Sequence, residues 1–387
     1  MVAMSDFELP DRGIVFWAVG VGDSTTVVVD EEAILQIDLH HLEAAEDDED
    51  PRVPIVDRLV DLLPERDGKP YLATFAATHL DKDHILGFAE LLDRVTIGDL
   101  WFTPKVFRDA EGGELCDDGK VFVKEAERRI EVVKGGGAAG SGDRIQIIGH
   151  DDLLSEPPYS ELPAETFVRP GEFTTALDGV EHVDEFRAFV HAPFKDDGSK
   201  ERNDTSLALQ ITLKEGGETL NALTFGDLRY PDLKAIFDRS KADDLLWRAM
   251  LAPHHCSNGA MYWADEVGGD AKLKRDILDA MEEAAEETSI VVVSADKIPT
   301  GNQAGDNPPH AKAANRYREI ASDGVICTGQ HPSAEAPEPI VFEVSAEGAG
   351  LRDAALVEAS MSKLAKEIGE ARGEDEVPAG RVGFGRR

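Results

Sequence analysis

Thr78-His79-Leu80-Asp81-Lys82-Asp83-His84 sets four potential metal ligands within six residues, directly after the apolar run Tyr71 to Ala77. An apolar run that ends in clustered His and Asp reads as a buried strand delivering ligands onto a loop. While the chain stays extended, residues 79, 81 and 83 share one direction, and His84 joins them if the loop curls into the helical segment read over Ile85 to Val95. Charges on a polar loop can be merely solvated, but His and carboxylates at this spacing are what divalent metals need. One such loop can serve two ions.

The pattern recurs downstream. Leu223-Thr224-Phe225-Gly226-Asp227 reads as a strand that stops at a Gly, so the backbone turns and leaves the Asp227 carboxylate at the strand edge, where it can bridge two cations. Leu245 to Ala252 is another apolar strand, ending in Pro253-His254-His255-Cys256-Ser257. Ser289 to Ser294 leads into Asn302 to Pro309 and His310, ahead of a helix over Ala311 to Ile320. Turn chemistry explains any one of these endings; their recurrence after the 78–84 motif points to a shared metal site.

Upstream, Gly13 to Gly20 and Asp23 to Asp30 read as strands around the turn Gly20-Val21-Gly22-Asp23. Ala33 to Ile37 follows, ending at Asp38 and the loop histidines His40 and His41, which lie within reach of a site at a strand end. The acidic run Glu43 to Asp50 reads as a solvated loop and Pro54 to Leu63 as a helix. Beyond the motif come a strand at Asp99 to Phe102 and a less regular region of about 104–174, read as an insertion. It holds a helix near Val121 to Val133, a strand at Arg144 to Ile148, and a Gly-rich loop that lacks the Lys and Ser/Thr spacing of a phosphate cradle. Strands return at Glu185 to Val190, Ser206 to Leu213 and Thr219 to Phe225.

The 387 residues carry 77 acidic against 40 basic side chains, a formal net charge of -37. Such a surface repels polyanions and argues against a general nucleic-acid coat; it also fits a high-salt cytoplasm. No run approaches the roughly 20 apolar residues of a membrane helix, and Met1 to Pro10 has no basic-then-apolar signal pattern. Cys116, Cys256 and Cys327 are odd in number and widely spread, which suits reduced thiols. The expectation is a cytoplasmic protein with no membrane segment and no structural disulfide.

These motifs together resemble the metallo-β-lactamase fold hydrolases, and within them the hydrolase-like domain of the competence protein ComEC. That family's signature is His-x-His-x-Asp-His; here it stands as His79-x-Asp81-x-Asp83-His84, a departure at the second ligand that the ComEC-like branch shares. Leu223 to Asp227 is similar to the branch's Leu-Thr-Gly-Asp with Phe225 added, and Pro253 to Ser257 to its His-His-Gly-Ser with Cys256 for Gly. Asn203-Asp204-Thr205-Ser206 and Asn307-Pro308-Pro309-His310 resemble the remaining landmarks. The resemblance spans about residues 13 to 345, hence a hydrolase domain over 1–348.

What it implies is an α/β fold, a four-layer αββα sandwich holding one or two divalent ions at one sheet edge. His79, Asp81, Asp83, His84, Asp227 and one of His254 or His255 become ligands. The family's third isolated His has no clear counterpart: Asn203 sits near its place and His191 is the only nearby imidazole, which leaves the first metal site incomplete, weaker, or filled by an oxygen ligand. The oxygen-rich set moves the expected metal from zinc alone toward manganese, with magnesium as a further alternative.

The implied activity is hydrolysis by metal-activated water, its pKa lowered to about 7 and its proton hydrogen-bonded to Asp83, with His310 positioning substrate or protonating a leaving group. A Cys256 thiolate is not needed for attack. The ComEC-like landmarks favour a phosphodiesterase or nuclease-like enzyme. The acidic surface favours a hydrolase of a small ester, amide, thioester or lactone, and the missing His favours a degenerate metal-binding scaffold that binds a partner. The tail, 349–387, reads as a helix over Leu351 to Gly373 with Val357, Met361, Leu364 and Ile368 on one stripe, followed by disorder. Such a stripe docks on its own domain or forms a homodimer or partner helix.

Overall fold

The computed structural model describes residues 7–107, 115–136, 139–150, 154–155, 157–193, 206–266, 268–303 and 305–352. Two sheets carry the chain. The first contains β1 (Gly13–Phe16), β2 (Thr25–Val28), β3 (Ile34–Ile37), β4 (Lys69–Ala76), β5 (Thr96–Phe102), β6 (Arg144–Ile148) and β7 (Phe167–Val168). The second contains β8 (Phe173–Thr174), β9 (Phe186–Ala192), β10 (Ala208–Glu215), β11 (Glu218–Thr224), β12 (Trp247–Leu251), β13 (Ala285–Val293) and β14 (Val325–Cys327). The chain then returns to the first sheet as β15 (Ile340–Ser345) and β16 (Gly348–Leu351).

The first sheet runs β16-β15-β1-β2-β3-β4-β5-β6-β7, with Glu65–Arg66 hairpinned onto the start of β4; the second runs β14-β13-β12-β11-β10-β9-β8. Each is mixed on the same plan. Antiparallel neighbours, β1-β2-β3 and β9-β10-β11, give way to parallel ones, β3-β4-β5-β6 and β11-β12-β13-β14. Parallel neighbours need a crossover, and each junction here supplies a helix. In the first sheet these are α1 (Ile55–Leu62), the short α2 (Lys82–Ile85) with α3 (Phe88–Arg94), and α4 (Asp117–Lys134). In the second they are α5 (Tyr230–Arg239), α6 (Arg275–Ala284) and α7 (Ala311–Ile320).

The apolar side chains sort into three layers. Leu72 and Phe75 of β4 face helices α1, α3 and α4, packing with Ile55, Leu59, Phe88 and Phe122. Tyr71, Ala73 and Ala76 of the same strand face the second sheet, meeting Ile211, Ala222, Ala249 and Leu251 in the interlayer. Trp247 and Met250 of β12 face the other way, against Leu233, Ile236, Leu278, Met281 and Tyr317 of α5 to α7. Three apolar layers between helices, sheet, sheet and helices make the αββα sandwich.

The helix read over Ile85 to Val95 is broken at Gly87, whose φ of 96° is left-handed and where a Cβ would stand 2.5 Å from His41 Cβ. Residues 104–174 supply α4, β6 and β7, extending the first sheet. Asn203, Asp204 and Thr205 lie outside the described residues, as does the tail from residue 353 with its apolar stripe. Among the described residues no helix is long and apolar enough to cross a membrane.

Candidate metal centre

The loops that follow β3, β4, β11 and β12 meet at one edge of the sandwich. Asp38 leaves β3 with a left-handed φ of 55°, which turns its carboxylate back over the neighbouring strand. There it accepts from Thr78 N at 2.7 Å, from Thr78 Oγ1 at 2.6 Å and from His84 Nδ1 at 2.7 Å. A hydroxyl has one proton, and that of Thr78 goes to Asp38. Its lone pair therefore accepts from His79 Nδ1, 3.0 Å away, and the Nε2 of His79 carries a lone pair into the site. The backbone is stitched in the same way: Asp23 N donates to Asp83 O at 3.0 Å, Leu39 N to His84 O at 2.9 Å and Leu207 N to Thr78 O at 2.9 Å.

From the second sheet, Gly226 takes φ 50° at the end of β11, and a Cβ there would stand 2.9 Å from Ser206 Cβ. Only Gly fits without displacement, and the turn it makes aims Asp227 inward. After β12 three successive residues are left-handed: His254 at φ 50°, His255 at φ 49° and Cys256 at φ 68°. Each costs about 1 kcal/mol or more in an L-residue, a strain concentrated where the chain must turn two neighbouring imidazoles to different oxygens of one carboxylate. Cys256 holds the left-handed backbone that Gly, its counterpart in the resembling pattern, would adopt without strain. Asp227 Oδ1 lies 3.1 Å from His84 Nε2 and 3.6 Å from His255 Nε2, while Asp227 Oδ2 lies 3.5 Å from His254 Nε2 and 3.7 Å from His79 Nε2.

Donors sharing one tetrahedral cation at about 2.0–2.1 Å must stand about 3.4 Å apart. Around Asp227 Oδ1 they do: His84 Nε2 and His255 Nε2 are 3.2 Å apart, and Asp83 Oδ2 is 3.2 Å from His255 Nε2. These four side chains offer ligand atoms that all lie within 4.8 Å of one another. His79 Nε2 is buried, has no hydrogen-bond partner among the described residues, and stands 3.9 Å from Asp81 Oδ2. The residues present fit divalent ions, and two imidazoles with two carboxylates suit zinc or manganese.

Electrostatics agree. Burial alone would raise the Asp83 carboxyl, but His255 and His84 hold it below its ordinary range. Burial works against ionised Asp227 and Asp23 as well, and the histidines again overcome it. Conversely, burial would neutralise His255, yet Asp23 and Asp227 push its pKa up to about 10, and Asp227 and Asp38 raise His84. Buried carboxylates here demand positive charge, and protons on the imidazoles supply it in the metal-free chain.

Two mixed sheets between helices, with His and Asp from both converging at one edge, settle the fold. The sandwich is a metallo-β-lactamase fold. No protein-family model matches the chain, and no curated protein does. Among solved structures it is similar to the metallo-β-lactamase fold protein YhfI from Bacillus subtilis, at 11% identity over 85% of this chain and 99% of that one, TM-score 0.38. A B3 metallo-β-lactamase with an active-site glutamic acid aligns at 14% identity over 72% of this chain and 85% of its own, TM-score 0.35. Zn2+-bound PqqB from Methylobacterium extorquens aligns at 12% over 62% and 72%, TM-score 0.30.

In this metallo-β-lactamase fold His79, Asp81, Asp83, His84, Asp227, His254 and His255 are all brought to the one edge. His310 sits behind them. Its Nδ1 accepts from Asn258 N at 3.2 Å, bracing the loop after His255, and its Nε2 meets Asp306 O at 3.1 Å in its own loop. His40 packs against Gly22 beside the cluster, with its pKa lowered to about 4 by burial, while His41 turns away to Glu46 Oε1 at 3.2 Å. His191 faces α5, bonding Ser240 Oγ at 2.8 Å. Asp23 and Asp38 join the site although their sequence context marks them only weakly. The Gly pair before Asp23 and the break of alternation at Asp38 were the available signals. A separate cavity of about 450 Å3, lined by residues including Asp30, Arg66, Tyr71, Leu177 and His182, lies toward the starts of β3 and β4, away from these ligands.

Proposed function

We propose that the chain is a metal-dependent hydrolase acting on phosphodiesters. The observation that carries this reading is the Asp227 carboxylate, whose two oxygens face separate pairs of imidazoles. Divalent ions held there supply Lewis acidity toward a phosphoryl oxygen and a water acidic enough to attack at neutral pH.

The chain's own groups do the rest. Asp38 accepts from His84 Nδ1 at 2.7 Å and the Asp23 carboxylate lies 3.2 Å from His255 Nδ1, so that in both imidazoles Nε2 faces the centre. Asp83 is the most open member, with 36% of its side chain exposed, and its depressed pKa makes it an orienting acceptor for an incoming water. His310, engaged at both nitrogens, holds the 256–258 loop in place and so positions His255.

Hydrolysis of bis(4-nitrophenyl) phosphate in the presence of Mn2+, set beside an Asp227→Ala variant, tests the proposal. The parent should turn the substrate over and the variant should lose at least a hundredfold. A metal-loaded, folded parent that leaves phosphodiesters untouched and cleaves a small ester or lactone would replace it with the second reading, which the net charge of -37 favours.

A further inference from the structure

We propose that the cavity at the starts of β3 and β4, away from the metal centre, is a binding site for a linear aliphatic polyamine, a ligand whose positive charges are spaced by methylenes. The inference stands independently of the hydrolase reading.

The cavity is preformed. One wall is the hairpin that pairs Ala176–Leu177 with Val180–Glu181, and its turn is locked from beneath. The Asp178 carboxylate, 4% exposed, accepts from Tyr71 Oη at 2.6 Å and from Arg144 Nη1 at 2.7 Å, and it sits where a side chain on Gly98 would otherwise stand. The opposite wall is the loop between β2 and β3, held by Asp30 Oδ1, which accepts from Glu32 N at 2.9 Å and from Ala33 N at 2.8 Å. Between the walls the Arg66 guanidinium lies 3.5 Å from the centre of the Tyr71 ring and 3.0 Å from Glu32 Oε2. This part of the cavity therefore already holds one organic cation between an aromatic face and a carboxylate. The space, about 450 Å3, is of the size that takes small molecules.

The lining sets the chemistry of the ligand. It carries the carboxylates of Asp30, Glu31 and Glu32 against the single guanidinium of Arg66, which selects positive charge. A compact metal ion does not suit it, because among the described residues no three ligand atoms from Asp30, Glu31, Glu32 and His182 lie within 4.8 Å of one another. The negative charges are spread, and the surface between them is apolar: Ala33, Leu177 and Val180 line the same space. A ligand with separated ammonium groups reaches separate carboxylates while its methylenes cover that wall. The net charge of -37 draws cations to the whole surface, but that attraction is diffuse and screened by salt, whereas burial of methylenes is not.

Calorimetric titration of the full chain with spermidine tests the assignment, at about 0.15 M salt, where exposed charges are screened beyond about 8 Å. One saturable site per chain is expected, from which Mg2+ at matched ionic strength does not displace spermidine. Val180 is 58% exposed, so Val180→Arg should fold and place a cation in the mouth of the cavity. Affinity should fall about tenfold or more in that variant, and likewise when Glu31→Gln is combined with Glu32→Gln. Glu282→Gln combined with Glu283→Gln removes the same charge from exposed positions on α6 and should change affinity less than about twofold. Absence of a saturable step, equal losses in the two double variants, or displacement by Mg2+ would each overturn the proposal and leave the acidic surface as the whole of the attraction.

Discussion

Asp38 Oδ2 stands 2.7 Å from His84 Nδ1 across the junction of β3 and β4, and the bond decides which nitrogen of His84 faces Asp227. Asp38→Asn keeps the shape but offers an amide where three donors converge. Metal affinity should fall about 10- to 100-fold, the usual effect of losing such a supporting carboxylate. Stability should fall by about 1–3 kcal/mol from unpaired buried donors. Chelator competition and urea melts read the two separately; unchanged affinity would show that His84 needs no such orientation.

The charge state of the metal-free cluster sets a pH dependence. The pKa of His255 in the folded chain, about 10, lies above its unfolded value near 6.5, so its contribution is fully present below about 6.5 and lost as pH rises toward 10. Metal must displace the same protons and so binds better as pH rises. In chelator, the melting temperature should drop between pH 6.5 and 10, and the upward shift on adding Zn2+ should widen over that range. A metal-free melting temperature that climbs with pH would contradict the assigned charges.

Asp81 departs from the commoner His at its position, and its Oδ2 lies 3.9 Å from His79 Nε2. Asp81→His should shift preference from manganese toward zinc, because imidazole is the softer ligand. Asp81→Ala should weaken only the half that contains His79, leaving Asp83, His84 and His255 occupied. Metal content with each ion, measured for both variants, decides; if neither changes preference or affinity, Asp81 lies outside the coordination shell.

Gly226 combines left-handed backbone with crowding against Ser206. Gly226→Ala should cost about 1–3 kcal/mol and weaken metal binding, since Ser206 Oγ accepts from Asp227 N at 3.2 Å. Gly68→Ala, at φ 78° with nothing within 4 Å, should show the conformational cost alone and leave metal binding intact. Equal effects in both variants would mean the crowding at Gly226 has no bearing on the centre.

Sequence alone exposed those ligands whose placement is local. His79 to His84 follow a largely apolar strand, and Asp227 follows a Gly that punctuates the end of one. What joins them is nonlocal. Asp38 reaches His84 across 46 residues, and Asp23 meets His255 from the far end of the domain, contacts that no spacing encodes. The left-handed run at 254–256 was equally hidden, because His and Cys do not advertise φ above zero as Gly does. His310 reads in the sequence as a residue that positions substrate or protonates a leaving group; that its nitrogens also meet Asn258 N and Asp306 O only the folded loop reveals.

The centre draws on both sheets: His79 to His84 hang from β4 in the first, and Asp227, His254 and His255 from β11 and β12 in the second. The interlayer behind them is an apolar, close-packed cluster from both sheets. An ion held by ligands from both sheets would be a clasp at the mouth of the sandwich, closing a long loop of chain as a crosslink does. Such a clasp would slow the parting of the two halves, so protease resistance and the lifetime of the folded state should rise with metal occupancy.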